Sequence, residues 1–322
     1  MVARNVRMTV VVLVAAVGPG GSQAYGLLPP DYTGDFYVSD FNNDRVAVYG
    51  PQGDFLRSFS TAGLNGPRGI AFAPSAKVYV ASELSDEVYV FTPQETFDFK
   101  FGHALLDGPT GLAIGESGLL YLSSFNNSRV LVFQPDGTFL RSFTAGVLSL
   151  PNCVALDSGG NTYVSSAGNG LVLKFSPAET FLFSFTGGGI SSPMSIARDR
   201  NDVLYVSGGA SHNIVRFGTD GSYLGQFSHP DLTGPQGLAF DEHGHLFSSS
   251  FYQNTLVEFD EQNNYVQTIT AGGLSVPRSI AFVPAAGPPV PAVSLVTTSI
   301  MSVLMLMAGA RVLRSRWCGV RN

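Results

Sequence analysis

The sequence contains few cysteines and few charged residues. Two of its 322 residues are cysteine, Cys153 and Cys318, so no disulfide framework can hold the fold and a packed core has to do so. Charged residues make up 13% of the chain, while glycine (37) and proline (19) are frequent. A chain this apolar is not disordered, and a chain this rich in turn-forming residues is not a helical bundle.

Basic residues are scarce in the central part of the chain. Six of the 18 Lys and Arg stand near the two ends, whereas all 24 acidic residues fall between residues 25 and 284. The central part therefore has 12 basic and 24 acidic residues and a net charge of −12. Because such a surface repels phosphate groups, the composition excludes nucleic acid as a partner.

The first 24 residues have the pattern of a secretory signal peptide. Arg4 and Arg7 precede an apolar run over residues 8–17, and Ser22 and Ala24 place small side chains at positions −3 and −1 of a cut after Ala24. The run is too short to span a bilayer. We expect residues 1–24 to direct export; the alternative is that the run forms a buried strand.

The other end predicts a membrane anchor. Residues 285–289 form a linker of alanine, glycine and proline, and residues 290–310 carry no charge. Those 21 residues would span roughly 30 Å as a helix, which matches the hydrocarbon core of a bilayer. Arg311, Arg314 and Arg316 follow, so residues 311–322 should stay in the cytoplasm and the domain outside, in the cell envelope or extracellular space. Cys153 and Cys318 would then face different compartments and could not pair.

This tail resembles bacterial C-terminal sorting signals of the PEP-CTERM type. Those signals combine a short proline motif, one membrane span and an arginine cluster, and Val290-Pro291-Ala292 stands where that family has Val-Pro-Glu-Pro. The resemblance implies that a sorting protease or transpeptidase acts on the chain. The alternative is a plain membrane anchor.

A repeat of 42 residues fills the central part. Six prolines recur at this spacing without an insertion, and each is followed four residues later by alanine: Pro67, Pro109, Pro151, Pro193, Pro235 and Pro277. Three further runs rich in aromatic and β-branched residues share the period, and a tight turn such as residues 135–137 precedes the last of them. Each repeat is therefore predicted to form four short antiparallel strands, which we label a to d.

Four strands per repeat of this length predict a blade of a β-propeller. The first copy, residues 34–60, lacks strand a, and the last, residues 276–284, is a strand a alone. The last strand should therefore complete the first blade and remove two unpaired sheet edges. We expect one all-β domain over residues 34–284, a six-bladed propeller preceded by a lead-in at 25–33. An open stack of β units is the alternative.

The repeats resemble the NHL family. Pro67-Arg68-Gly69-Ile70-Ala71 is similar to the opening of that repeat, and residues 127–133 are similar to its third strand. The resemblance covers about 250 residues and implies a six-bladed propeller without specifying a function. The strand-ending aspartate of the family is present only as Asp40, and its arginine only as Arg45 and Arg129, so no polar pairing is expected to recur around the ring.

The b–c and d–a loops of a propeller share one face, around the opening of the central channel, which we call the mouth. The residue after each of the six repeating prolines, the register prolines, should stand near this mouth. Arg68 and Arg278 are neighbours in the ring, and two arginines in an acidic domain suggest an anion such as a carboxylate or an acidic sugar. The alternative is that they pair with nearby acidic residues or order water in the channel. The polar candidates for ligand binding at this register are Arg68, Thr110, Asn152, Gln236 and Arg278.

Aromatic residues divide into two groups. Four registers hold 23 of the 37 aromatic side chains, and their periodicity predicts core between the blades. The b–c loops add aromatic residues outside these registers, which could stack on a sugar or contact a partner: Phe41, Phe125, Phe251 and Tyr252. The alternative is that these side chains fold onto the rim of the blade.

Residues suited to catalysis are few. The histidines expected on the mouth face are His103, His212 and His229, which lie in different loops, and a three-histidine metal site is poorly supported. Asp107 and Asp231 follow two of them and give the best case for an enzyme. On the opposite side, the aspartates that end strand a could hold a cation or simply end the strand: Asp157, Asp199 and Asp241.

The sequence therefore favours a binding protein over an enzyme. Cys153 occupies a register of small residues and is expected to be a packed, inert thiol. We predict no catalytic residue, no metal and no cofactor, and expect a propeller that binds a protein or glycan at the cell surface. Metal-dependent lactonases and lyases share the architecture, so the alternative is a metal-dependent hydrolase or lyase.

Overall fold

A computed structural model describes residues 34–283. The predicted signal peptide (1–24), lead-in (25–33), linker (285–289), membrane segment (290–310) and basic tail (311–322) lie outside the described residues. Residues 34–283 contain no helix that could cross a bilayer.

The described chain forms 24 strands in six antiparallel sheets of four, so the predicted six-bladed propeller is confirmed. Blade 1 comprises β1 (Phe36–Asp40), β2 (Arg45–Tyr49), β3 (Phe55–Phe59) and β24 (Pro277–Phe282). Blade 2 comprises β4 (Pro67–Phe72), β5 (Val78–Ser82), β6 (Glu87–Phe91) and β7 (Phe97–Gly102), and blade 3 comprises β8 (Pro109–Ile114), β9 (Leu120–Ser124), β10 (Arg129–Phe133) and β11 (Phe139–Phe143). Blade 4 comprises β12 (Pro151–Leu156), β13 (Thr162–Ser166), β14 (Leu171–Phe175) and β15 (Phe181–Phe185). Blade 5 comprises β16 (Pro193–Arg198), β17 (Leu204–Gly208), β18 (Asn213–Phe217) and β19 (Tyr223–Phe227), and blade 6 comprises β20 (Pro235–Phe240), β21 (Leu246–Ser250), β22 (Thr255–Phe259) and β23 (Tyr265–Ile269). Two short 3₁₀ turns, Phe41–Asn43 and Glu83–Ser85, follow β1 and β5.

The last strand closes the ring as predicted. β24 pairs antiparallel with β1, placing Phe282 opposite Phe36 and Ile280 opposite Val38. The backbone N–H of Val283 also donates to the carbonyl of Asp35 at 2.9 Å. The first and last described residues therefore meet at the face of the ring opposite the mouth.

The core lies between neighbouring blades, on strands b and c. The central residues of these strands are almost fully buried, and their apolar side chains form six clusters around the ring. One aromatic register departs from the prediction. The residues that open strand d lie on the outermost strand and are partly exposed, as in Phe97 (41%), Phe181 (39%) and Tyr223 (50%). The outermost strand has no neighbour beyond it to cover these rings.

A buried serine of strand b joins neighbouring blades. Every strand a is bulged just after its proline, which frees backbone groups from the ladder. Ser249 accepts the N–H of Gly237 at 2.8 Å within its own blade and donates to the carbonyl of Arg278 in the next blade at 2.7 Å. In four other blades the corresponding serine accepts the same N–H, namely Ser39, Ser123, Ser165 and Ser207.

The aspartate–arginine pair occurs in blade 1, where Arg45 Nε donates to Asp40 at 2.7 Å, but a different polar contact recurs around the ring. At the position of Asp40, serines take over the same role, because a hydroxyl at the end of strand b reaches the d–a loop as a carboxylate does. Asp40 accepts the N–H of Ser275 at 2.7 Å, and Ser82 accepts the N–H of Asn65 at 2.9 Å. The same bond is made by Ser124, Ser166 and Ser250.

Small residues let the six strands a pack closely around the axis. A Cβ on Gly69 or Gly111 would lie 2.6 or 2.5 Å from backbone atoms of the next strand a, and one on Gly237 would lie 2.3 Å from the carbonyl oxygen of Arg278. The register holds cysteine at 153 and serine at 195 and 279. The prediction that this register needs small side chains agrees with this spacing.

The contacts between the outer parts of the blades alternate. Arg57 of blade 1 forms an ion pair with Glu95 in the c–d turn of blade 2 at 2.6 Å, and Arg141 of blade 3 binds Glu179 of blade 4 at 2.5 Å. Between blades 2 and 3, Gly137 in the c–d turn of blade 3 lies against Phe101 of blade 2. The turns of blades 1, 3 and 5 have glycine at this place, and those of blades 2, 4 and 6 have Glu95, Glu179 and Asn263, all with positive φ.

Candidate functional site

The residues after the register prolines line a cavity of about 60 Å³ at the mouth of the channel. All five predicted ligand-binding residues of this register contribute to its wall. The small volume follows from the close packing of the strands a described above. The b–c turns with Phe41, Glu83 and Phe251 lie over this opening.

Arg278 is held between two aromatic rings. The carbon at the centre of its guanidinium lies 4.9 Å from the ring centre of Phe41 and 4.6 Å from that of Phe251. Each ring is close enough for a cation–π attraction. Its Nη1 donates to Gln236 Oε1 at 3.1 Å, while its Nε is buried without a hydrogen-bond partner. Within residues 34–283 no carboxylate forms a salt bridge with it.

Burial, and then the like charge of Arg68, lower the pKa of Arg278 below its ordinary value. A guanidinium keeps its proton in proteins, so the lowered pKa measures an unfavourable environment for the cation. An anion that entered the mouth would relieve that cost.

Arg68 occupies the same position one blade further on, but it is paired. Its Nε donates to Glu83, and its guanidinium lies 5.7 Å from the ring centre of Phe41. Burial lowers the pKa of Arg68, and the Glu83 carboxylate acts in the opposite direction. The two arginines therefore differ: Arg68 has a carboxylate where Arg278 has a second aromatic ring.

The other predicted mouth residues differ in how far their polar groups already have hydrogen-bond partners within the fold. Thr110 is buried and binds Ser123 Oγ and the carbonyl of Pro151, both at 3.0 Å. Gln236 is buried and accepts from Arg278. Asn152 lines the cavity, and its Nδ2 is buried without a hydrogen-bond partner. Asn152 and Arg278 belong to blades 4 and 1, so they stand on opposite sides of the ring.

Three of the four predicted loop aromatics lie together. Phe41 and Phe251 enclose Arg278, and Tyr252 packs edge-on against Phe251 with ring centres 4.8 Å apart. Tyr252 is 66% exposed. Phe125 lies two blades from Phe41 and, within the described part of the chain, makes no ring or cation contact with this group.

Two residues of the candidate site were not predicted from the sequence. Leu84 is 59% exposed beside Phe41, and Glu83 is the partner of Arg68. Glu83 stands at the register of Phe41 in the next blade, so the register would have placed it beside Arg68. Leu84 carried a weaker signal: an apolar side chain in a b–c turn at a register that holds asparagine in blades 1 and 3.

The b–c loops are fixed by residues in the left-handed conformation. In five blades such a side chain accepts the N–H of the residue before the register proline, as Asp44 does from Gly66 at 2.8 Å. The others are Asp86, Ser128, His212 and Asn254. The mouth loops are thereby tied to the strand that carries the cavity-lining residues.

The three histidines of the mouth face are used in backbone hydrogen bonds. His212 Nδ1 accepts from Gly234 at 2.8 Å, His103 Nδ1 from Leu105 at 3.1 Å and His229 Nδ1 from Asp231 at 3.2 Å. A nitrogen that accepts carries no proton, so the proton of an uncharged ring sits on Nε2. Neither ring nitrogen then offers a lone pair to a metal without breaking one of these bonds.

The remaining candidates for catalysis have local structural partners. Asp107 accepts from Asn126 at 2.7 Å, and Asp231 accepts from Thr268 at 2.7 Å. Asp157, Asp199 and Asp241 each accept backbone N–H groups within their own a–b turns. Among residues 34–283 no three His, Cys, Asp or Glu side chains are grouped to hold a metal ion.

Cys153 also lines the cavity, and burial raises the pKa of its thiol. A raised thiol pKa lowers the fraction of reactive thiolate.

Comparisons with known proteins identify the fold and no family. No family model and no curated protein matches the chain. The solved structures that resemble it include virginiamycin B lyase from Staphylococcus aureus, with a TM-score of 0.63 and 14% identity over 80% of this chain and 87% of that one. They also include a nidogen/laminin complex (0.69, 14%, 79% and 99%) and a Bacteroides caccae protein of unknown function (0.64, 15%, 76% and 97%). At this identity the likeness shows a shared propeller fold, while NHL membership stays a prediction.

Proposed function

We propose that this chain is an exported, membrane-tethered propeller whose mouth binds a protein or glycan at the cell surface. The observation that carries the proposal is Arg278, a cation with no carboxylate partner in the described chain, fixed between Phe41 and Phe251 beside exposed Tyr252 and Leu84. Aromatic and arginine side chains grouped around a recess are typical of the residues that dominate binding energy. In the solved nidogen/laminin complex the resembling propeller is seen with a protein partner.

The position of the chain ends supports the predicted tether. β1 begins and β24 ends at the face opposite the mouth, where Asp35 and Val283 are hydrogen-bonded. A membrane anchor that follows residue 284 would hold that face toward the bilayer. The mouth would then point away from the membrane, toward its ligand.

The exposed tyrosine at the mouth gives the first test. In a binding screen of the full chain against cell-surface proteins and glycans, Tyr252→Ala should weaken every mouth ligand by about 2 kcal/mol, the scale of an aromatic hot spot. Tyr223→Ala is the matched control, because Tyr223 is 50% exposed but lies on the outer strand of blade 5. Equal affinities in wild type and Tyr252→Ala would remove the mouth as the binding surface.

Protease treatment of intact cells tests the proposed export and membrane topology. A protease added outside should digest the propeller and leave residues 311–322 protected, and permeabilised cells should lose both. A propeller that survives outside and is cut only after permeabilisation would reverse the proposed topology.

The second candidate function is a metal-dependent hydrolase or lyase. It is favoured by the resemblance to virginiamycin B lyase, which shows only a shared fold at 14% identity. Turnover that is lost with a chelator and in His103→Ala or His229→Ala, with unchanged melting, would establish the enzyme. Ligand binding that is unaffected by the chelator favours the binding protein.

A further inference from the structure

We propose that the mouth recognises a carboxylate carried on a flexible arm, as on a single Glu or Asp side chain of a protein partner. This inference rests on the proposed function and names the ligand chemistry of the same site. It starts from two buried donors, Arg278 Nε and Asn152 Nδ2, that have no acceptor within residues 34–283. Both residues line one cavity, from opposite sides of the ring.

A buried donor without an acceptor is unfavourable, and two around one cavity call for a group with several acceptor sites. A carboxylate has two oxygens and about four acceptor positions, and it also matches the charge and planar fork of a guanidinium. Nη1 of Arg278 already binds Gln236, so its Nε edge is the side left for the ligand. The neighbouring Arg68 is neutralised by Glu83, which leaves Arg278 as the attracting charge.

The size of the cavity limits what enters. About 60 Å³ is far below the roughly 300–1,000 Å³ of pockets that enclose a whole small-molecule ligand. A carboxylate is small enough for this cavity and a sugar ring is not. The body of the ligand must therefore stay above the loops and extend its carboxylate downward.

The small size of the cavity favours an acidic side chain of a peptide over an acidic glycan. The carboxylate of a uronic acid is attached directly to the ring, so the ring would have to enter with it. A Glu or Asp side chain places one or two methylenes between the backbone and the carboxylate. Leu84 and Tyr252, both largely exposed beside the opening, would contact apolar residues that flank the acidic one.

The experiment uses small probes and the full chain. The Nε–H signal of Arg278 is followed by nuclear magnetic resonance during titration with propionate, propionamide or glucuronate. Propionate should shift the signal saturably. Propionamide, which lacks the charge, and glucuronate, which lacks the flexible arm, should not. A blocked Ala-Leu-Glu-Leu-Ala peptide should bind more tightly than propionate, and its Gln counterpart at least about tenfold more weakly than the Glu peptide.

Variants locate the effect. Arg278→Gln and Arg278→Lys should each weaken the Glu peptide about tenfold or more, because lysine keeps the charge without the fork. Asn152→Ala should weaken it less. The matched control is Arg129→Gln, which removes the same charge from the mouth side of blade 3 without touching the cavity and should leave affinity unchanged. Melting temperatures of all variants are compared with wild type to exclude unfolding.

Three outcomes would overturn the inference. One is equal binding of the Glu peptide to wild type and Arg278→Gln. Another is binding of oligogalacturonate that depends on Arg278, which would leave the mouth as the site and replace the protein partner with a glycan. The third is no response to any carboxylate while a Tyr252-dependent partner still binds, which would retain the proposed function alone.

Discussion

Deleting residues 276–284 is expected to unfold the propeller. The deletion removes β24, whose Ile280 and Phe282 and the following Val283 pack into blade 1 and against Phe247 of blade 6. Three such side chains contribute roughly 1.5–3 kcal/mol each. Their sum approaches the whole stability of an ordinary domain, about 5–15 kcal/mol. The unpaired edge of β1 would also be open to aggregation. Circular dichroism melting and light scattering would show loss of the transition and association.

A circular permutant provides the matched control. It places residues 276–286 directly before residue 34, so that strand a precedes β1 in blade 1 as it precedes strand b in the other five blades. The permutant should fold with a melting temperature near that of the wild type. If instead the deletion melted like the wild type, β24 would not be the strand that closes the ring.

Gly237→Ala is expected to destabilise the ring by about 3 kcal/mol, the upper part of the usual range for overpacking. The new Cβ would lie 2.3 Å from the carbonyl oxygen of Arg278 and 2.8 Å from the Cα of Ser279. Both are backbone atoms of a strand paired on its other edge with β1, so neither can rotate away. For a domain of this size the melting temperature should fall by roughly 6–12 °C.

Gly146→Ala is the matched control for this substitution. Gly146 lies outside the left-handed region, and a Cβ there meets nothing within 4 Å. Its melting temperature should stay near that of the wild type. A Gly237→Ala protein as stable as Gly146→Ala would mean that the strands around the axis can separate without cost.

The fold could be predicted because its signals are local and periodic. Each blade repeats the same apolar residues at intervals of 42, and the orphan strand over residues 276–284 identified the closure. The recurring hydrogen bonds between the end of strand b and the d–a loop were not predicted, because serine is common and its presence alone does not indicate such a bond. Ser82, Ser124, Ser166 and Ser250 stand where blade 1 has Asp40, yet a hydroxyl of the right reach makes the same bond.

The candidate site was predictable only in part. The 42-residue spacing placed Arg68 and Arg278 at the mouth, but it could not show which side chains contact each arginine. Phe41 and Phe251, 210 positions apart in sequence, meet on Arg278 only because the ring closes. The buried, unbonded nitrogens of Arg278 and Asn152 depend on side-chain geometry, which no spacing in the sequence records.

The alternation of inter-blade contacts has a consequence for the origin of the ring. Glycine at the c–d turn recurs at 53, 137 and 221, and Glu95, Glu179 and Asn263 fill the same place between them, so the true period there is 84 residues. The c–d turns therefore repeat with approximate threefold symmetry, with a pair of blades as the unit, although the ion pair occurs at two of the three equivalent contacts. A chain of one such pair could satisfy its outward contacts only by assembling as a closed trimer. Three tandem copies of a two-blade unit would place the same turn residues at the same contacts within a single polypeptide.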